Sequence, residues 1–223
     1  NLSNEHLSRQ LDLVPTEILD TEISIIGAGA IGSWTALTLA KMGFKHICVW
    51  DYDDVDIVNM SSQFFGFSDI GRPKVQALQA RIFEMTGTKI ATVQEPYKNT
   101  KLKGIGIMAV DSMKVRKAIF DNNRLNMGLY WLLDARMGSE TALLYTINPN
   151  SPDDGSFYEK TMYTDEEATQ ERCTAKSTTY CAVVLSGLIT KTVRDVLVKH
   201  KYMRNMTFSL KESDFLAFCK DLR

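Results

Sequence analysis

Two periodicities of apolar residues alternate along the first part of the chain. Short, nearly continuous apolar runs at 23–27, 45–51 and 104–110 are typical of strands that are buried on both faces of a parallel sheet. Longer segments repeat their apolar residues at helical spacing, and they cover 30–42, 73–85 and 112–124. Strands that alternate with helices in this way predict an α/β fold.

The second half of the chain has a different pattern. Segments 129–134 and 141–147 have the composition of strands, and the linker between them is short enough for a hairpin. A helical pattern follows over 174–200, then a strand at 207–210 and a short helix at 215–219. We therefore predict a Rossmann-like, mostly parallel twisted sheet flanked by helices, with an antiparallel C-terminal extension of the sheet.

The domain organisation follows from the polar stretches. Residues 1–21 are polar and charged and are predicted to form an N-terminal helix or arm. Residues 22–223 are predicted to form a single domain. Within it, residues 148–172 are long, polar and acidic, which in a compact domain is typical of a crossover or a lid.

Composition and charge narrow the classes of partner. The formal net charge is −1, which gives no electrostatic reason to expect nucleic acid or an anionic membrane. Apolar runs stay shorter than the roughly 18–20 residues needed to cross a bilayer. The four cysteines form no C-x-x-C pair, so neither zinc nor a disulfide framework is expected. Unpaired cysteines favour a reducing cytoplasm.

A glycine motif carries the first chemical signal. Gly27, Gly29 and Gly32 follow the first predicted strand and open the first predicted helix. In such a βαβ unit the first glycine permits a tight turn, the second lets a phosphate approach the backbone, and the third lets the helix pack on the strand. The N–H groups at the helix start attract the anion, and Asp51 after the second strand can accept hydrogen bonds from ribose hydroxyls. These residues predict a nucleotide site, and they fit a redox dinucleotide as well as ATP.

The residues after Asp51 discriminate between those ligands. Asn59 and Gln63 precede the run Asp69-Ile-Gly71-Arg-Pro73-Lys74, and Asp111 comes later with Arg116 five residues beyond it. This combination resembles the ubiquitin-activating-enzyme-like adenylyltransferases of the ThiF and MoeB type. The resemblance extends from Arg9 to the helix after Cys173. Two further runs resemble the minimal prokaryotic or phage members, namely Asp134-Ala-Arg136-Met-Gly138 and Arg172-Cys-Thr-Ala-Lys-Ser177.

The resemblance implies a reaction and a set of site residues. It implies that Mg-ATP and the C-terminal Gly-Gly tail of a ubiquitin-like or sulfur-carrier protein react to give an acyl-adenylate and pyrophosphate. It also implies a homodimer in which Arg9 reaches the ATP of the partner subunit. Asp111 would hold Mg²⁺ as an oxygen ligand, and Lys74 would neutralise phosphate charge. The residues implied to bind the nucleotide are Gly27, Gly29, Gly32, Asp51, Asn59, Gln63 and Lys74.

The sequence departs from the family pattern at one position and leaves a second one open. Many relatives have an arginine where this chain has Ser62, so either Arg9, Arg72 or Arg116 supplies the guanidinium or catalysis is weaker. Cys173 resembles the cysteine that carries a thioester in ubiquitin-type enzymes, and basic neighbours favour its thiolate. The alternative for Cys173 is a small packed residue at a helix start.

Two other functions fit part of the sequence. An NAD(P)-dependent oxidoreductase would explain the glycines and Asp51, but it would leave Asn59, Lys74 and Asp111 without a role. A non-catalytic nucleotide-binding subunit of a related heterodimer would explain the loss of the arginine at Ser62.

Overall fold

A single mixed sheet organises the molecule. The computed structural model describes residues 4–163, 177–211 and 216–222. In this part of the chain the sheet has eight strands in the order β3-β2-β1-β4-β5-β6-β7-β8. The strands are β1 (Glu22–Ile26), β2 (His46–Trp50), β3 (Ala91–Val93), β4 (Gly104–Met108), β5 (Leu129–Gly138), β6 (Thr141–Ile147), β7 (Met203–Ser209) and β8 (Leu216–Leu222). The helices are α1 (Ala30–Met42), α2 (Lys74–Thr86), α3 (Met113–Asn123), α4 (Pro152–Glu159) and α5 (Thr179–Val198).

The strand directions confirm the predicted fold class. The first five strands in the sheet order, from β3 to β5, form parallel pairs with one another. Strands β5 to β8 form antiparallel pairs. The C-terminal ends of the parallel strands therefore lie on one edge of the sheet, where open α/β sheets bind their ligands.

The structure differs from the prediction in two elements. Residues 215–219 were predicted as a short helix, but strand β8 lies there and pairs along its length with β7. Short apolar runs fit a strand or a buried helix equally well. Here the run forms a strand, because the edge of β7 offers it backbone hydrogen-bond partners. The second error was α4, which lies inside the segment predicted as a loop. Its signals were present, since Ser151 caps the helix by accepting a hydrogen bond from the N–H of Asp154 and Pro152 occupies the first turn.

Helices cover both faces of the sheet. Helices α1, α2 and α5 bury one apolar cluster with the inward residues of β1, β2 and β4. Helices α3 and α4 contribute to a second cluster on the other face. Cys181 of α5 lies fully buried in the first cluster. The described helices include none that is long and apolar enough to cross a membrane.

The N-terminal residues pack at one end of α1. Leu7, Val14 and Leu19 form a small buried cluster against this end. The side-chain amide of Gln10 donates a hydrogen bond to the carbonyl oxygen of Met42 at 2.9 Å. The arm is therefore fixed at the C-terminal end of α1, opposite the glycine turn.

Candidate functional site

The glycine turn joins β1 to α1 at the C-terminal edge of the sheet. Gly27 has a φ of 101°, and a Cβ at this residue would meet the carbonyl oxygen of Ala109 at 2.5 Å. A Cβ at Gly32 would meet the carbonyl oxygen of Gly27 at 1.9 Å. Gly29 differs, because a Cβ there would have no neighbour within 4 Å among the residues that the structure describes. Two glycines are thus required by packing, and the third opens onto free space at the start of α1.

That free space suits an anion. Gly29 is the N-cap of α1, and no side chain caps the helix there. The first-turn N–H groups and the positive end of the helix dipole therefore face the space beside Gly29. A phosphate group would supply the acceptors that these donors lack.

Asp51 connects the end of β2 to the glycine turn. Its Oδ2 accepts a hydrogen bond from the N–H of Ala28 at 2.6 Å. Its Oδ1 accepts one from the N–H of Asp53 at 2.9 Å. A carboxylate has about four lone-pair sites, so acceptor capacity remains for ribose hydroxyls. The structure thus places Asp51 directly against the turn, and its predicted contact with a ribose stays a prediction.

Lys74 begins α2 and is held against the same loop. Its side chain is buried, and Nζ donates to Oδ2 of Asp53 at 2.9 Å. Its backbone N–H donates to the carbonyl oxygen of Asp53 at 2.9 Å. Asp53 is half exposed, so its charge is largely solvated and leaves the ammonium of Lys74 able to attract a phosphate.

Asn59 and Gln63 lie on and just beyond a short 3₁₀ helix, Ile57–Ser61. The side-chain oxygen of Asn59 accepts a hydrogen bond from the N–H of Asp56 at 2.8 Å and so belongs to a reciprocal cap. Oε1 of Gln63 is buried and has no hydrogen-bond partner among the described residues. Gln63 lies near the first turn of α1, because the N–H of the next residue, Phe64, donates to Oγ of Ser33 at 3.0 Å.

The buried oxygen of Gln63 and the open space at Gly29 test whether a nucleotide fits. A buried acceptor without a partner costs about 1–3 kcal/mol, and such groups in native proteins are rare. Oε1 of Gln63 is enclosed by protein, so a bound nucleotide would reach it only if the side chain turned, whereas a phosphate would fill the space at Gly29 directly. The donor set around this edge therefore fits ATP.

Asp111 follows β4 and is exposed. It does not cap α3, because Ser112 is the cap and its Oγ accepts a hydrogen bond from the N–H of Val115 at 3.3 Å. The N–H of Ala109 donates to the carbonyl oxygen of Ile26 at 2.8 Å, which holds this segment beside the glycine turn. The carboxylate of Asp111 is thus available as an oxygen ligand for Mg²⁺ at the same edge.

The position at which many relatives have an arginine is occupied here by a buried serine, Ser62. Its Oγ accepts a hydrogen bond from Oγ of Ser177 at 2.9 Å. Two of the three substitutes predicted from the sequence are bound elsewhere. Arg72 pairs with Asp69 at 3.1 Å, and Arg116 is buried against Asp134.

Two predicted site residues remain, Arg9 and Cys173. Arg9 is exposed on the N-terminal arm, at the far end of the 13-residue helix α1. A helix of that length spans about 20 Å. Arg9 therefore serves this site only from a second copy, which stays a prediction. Cys173 lies outside the described residues, and so do its neighbours Arg172 and Lys176.

One cluster next to the site was missed as a functional feature by sequence reasoning. Asp134 of β5 is fully buried and accepts hydrogen bonds from Nη1 of Arg116, from Nε of Arg136 at 2.7 Å and from the hydroxyl of Tyr158 at 2.8 Å. Burial and the charge of Arg136 lower the pKa of Arg116 to about 10. Burial raises the pKa of Tyr158 to about 12. The sequence signal for this cluster was the spacing of Asp134 and Arg136, which puts both side chains on the same face of a strand, after its apolar residues.

Comparisons with known proteins identify the family of this chain. Residues 8–221 match the model of the ThiF family. A 67-residue segment, 30% of this chain, is 37% identical to a tRNA threonylcarbamoyladenosine dehydratase from Bacillus subtilis (strain 168) and covers 26% of that protein. A 111-residue match is 31% identical to the sulfur carrier protein ThiS adenylyltransferase of Escherichia coli (strain K12), covering 46% of this chain and 44% of that enzyme. A crystal structure of E. coli MccB has a TM-score of 0.78 over 98% of this chain and 70% of that chain, at 14% identity, which shows a shared fold.

The matched segments span less than half the length of either curated relative. The family model, by contrast, runs through nearly the whole chain and includes both the glycine turn and Asp111. This protein belongs to the ThiF family.

Proposed function

We propose that this protein binds Mg-ATP at the C-terminal edge of its sheet and adenylates the C-terminal carboxylate of a ubiquitin-like or sulfur-carrier protein. The observation that carries the proposal is the contact between Asp51 and the N–H of Ala28, 2.6 Å, beside the open space at Gly29. Lys74 begins α2, and Asp111 follows β4. Membership of the ThiF family favours adenylyl transfer over the oxidoreductase that the glycine turn alone allowed.

Each residue has a defined task in this reaction. Asp51 binds the ribose, and the N–H groups beside Gly29 bind phosphate oxygens. Lys74 neutralises charge that develops on the triphosphate. A carboxylate oxygen of the carrier protein attacks the α-phosphorus, and the bond from that phosphorus to the bridging oxygen of the β-phosphate breaks, which releases pyrophosphate. Asp111 would hold Mg²⁺, which supplies further charge stabilisation when bound.

The proposal includes a homodimer. In its own chain Arg9 lies at the opposite end of α1 from the glycine turn. A second copy, related by a two-fold axis, would bring Arg9 to the phosphates and supply the guanidinium that Ser62 does not.

Exchange of labelled pyrophosphate into ATP tests the reaction. With Mg²⁺ and carrier proteins that end in Gly-Gly, we expect exchange by the natural chain and a fall of about 100-fold in Asp111→Ala, comparable to the loss of one transition-state contact. Asp121→Ala is the matched control, because Asp121 is an exposed carboxylate on α3 that pairs with Lys117. ATP binding without exchange would instead indicate the non-catalytic subunit, and NADH binding without ATP binding would indicate the oxidoreductase.

One relative favours a second acceptor. The B. subtilis protein is named for a modified tRNA nucleoside, threonylcarbamoyladenosine, which carries a carboxylate. The same exchange assay with tRNA in place of the carrier protein separates the two acceptors. Exchange that depends on tRNA alone would replace the protein carrier in this proposal.

Thioester transfer through Cys173 is the finer part of the proposal. After incubation with ATP and the carrier protein, we expect an adduct that thiols cleave and that Cys173→Ala abolishes. Cys181→Ala is the control, since that thiol is fully buried and burial raises its pKa to about 11. An adduct that survives Cys173→Ala would show that this cysteine carries no acyl group.

A further inference from the structure

The buried charge cluster at the end of β5 lies beside the proposed site. It consists of Arg116, Asp134, Arg136 and Tyr158, so two guanidinium groups share one carboxylate. Burying charges is costly, and an unpaired buried charge is costlier still. The contacts of each arginine show what the cluster holds in place.

Arg116 braces the segment that carries Asp111. Its Nη2 donates hydrogen bonds to the carbonyl oxygen of Val110 and, at 3.1 Å, to that of Ala135. Val110 immediately precedes Asp111. The Arg116 guanidinium and the Asp111 carboxylate are also close enough to interact electrostatically.

Arg136 holds a different part of the chain. Its Nη1 donates to the carbonyl oxygen of Thr161 at 2.9 Å, and its Nη2 donates to Oγ1 of the same residue at 3.2 Å. The guanidinium also lies 4.7 Å from the ring centre of Tyr145. The two arginines therefore share Asp134, but only one of them touches the Asp111 segment.

We propose that Asp134 is a positioning residue for Asp111. It keeps the guanidinium of Arg116 paired and bonded to the carbonyl oxygen of Val110, which leaves the carboxylate of Asp111 to a divalent cation. Without Asp134, the buried cation of Arg116 has a competing partner in Asp111, and cation binding weakens. The inference rests on the proposed function, because it concerns the cation that accompanies ATP.

The Mg²⁺ concentration that half-saturates ATP binding, measured by calorimetry without any acceptor protein, tests the proposal. We expect it to rise about 10-fold in Asp134→Asn and in Arg116→Lys, the lower end of the effect of outer-shell groups on metal affinity. Arg136→Lys is the matched control, since it keeps a positive charge near Asp134 and removes the contacts to Thr161. Its Mg²⁺ requirement should equal that of the natural chain.

Hydrogen–deuterium exchange of the ligand-free protein gives a second readout. Peptides covering residues 109–112 should exchange faster in Asp134→Asn and Arg116→Lys than in Arg136→Lys, all measured below the lowest unfolding midpoint. An equal Mg²⁺ shift in Arg136→Lys, or unchanged Mg²⁺ dependence in Arg116→Lys, overturns the inference.

The two readouts separate this inference from the proposed function. If the natural chain binds no ATP, the proposed function fails. Hydrogen–deuterium exchange at residues 109–112 then tests by itself whether Arg116 stabilises the segment that carries Asp111. Equal hydrogen–deuterium exchange at residues 109–112 in the natural chain and in Arg116→Lys then overturns the inference. If Asp134→Asn does not fold, Arg116→Lys and its control carry the same comparison.

Discussion

Gly32→Ala is expected to lower the free energy of unfolding by about 3 kcal/mol, the upper end of the usual cost of overpacking. The added methyl would lie 1.9 Å from the carbonyl oxygen of Gly27. A backbone atom cannot swing aside as a flexible side chain does, so α1 would have to move away from β1. Urea unfolding followed by circular dichroism measures the loss, and ATP affinity should fall with it.

Gly29→Ala is the matched variant with the opposite expected result. Its φ of −76° suits any residue, and the new methyl would have no neighbour within 4 Å in the described part of the chain. Unfolding should therefore be unchanged, while the methyl occupies the space proposed for phosphate and weakens ATP binding at least about tenfold, or 1.4 kcal/mol. Natural ATP affinity in Gly29→Ala would place the phosphates elsewhere.

Lys74→Met is expected to reduce pyrophosphate exchange by about 10²–10³-fold, as loss of a preorganised charge at a reaction centre does. Methionine fills a volume similar to the buried stem of the lysine and removes only the ammonium. Asp53, the partner that it leaves behind, is half exposed and can be hydrated. Stability should therefore change little, and the loss should appear in the exchange rate.

A surface lysine provides the comparison for Lys74. Lys41→Met changes an exposed residue in the last turn of α1, at the end far from the glycine turn. Its exchange rate should match that of the natural chain. Equal rates in Lys74→Met and Lys41→Met would contradict the assignment of Lys74 to the phosphates.

The sequence alone determined the first βαβ unit of the fold and its glycine turn. Helix α1 has the predicted bounds, because Gly29 precedes it and Gly43 ends it with a φ of 104°. The glycine turn also lies between β1 and α1 as predicted, and Asp51 directly follows β2. These features depend on local backbone geometry and on a single βαβ unit, so the information lies within about 30 neighbouring residues.

The tertiary structure alone decided the features that depend on distant partners. Residues 216–222 became a strand because β7 offered an open edge. Ser62 accepts a hydrogen bond from Ser177, which is 115 positions away in the sequence. Asp134 accepts hydrogen bonds from Arg116 and Tyr158, which are 18 and 24 positions away. Apolar periodicity specifies which face of an element is buried, but it carries no record of which polar groups meet once the faces are packed. The pairing of charges around Asp111 was therefore decided only by the folded chain.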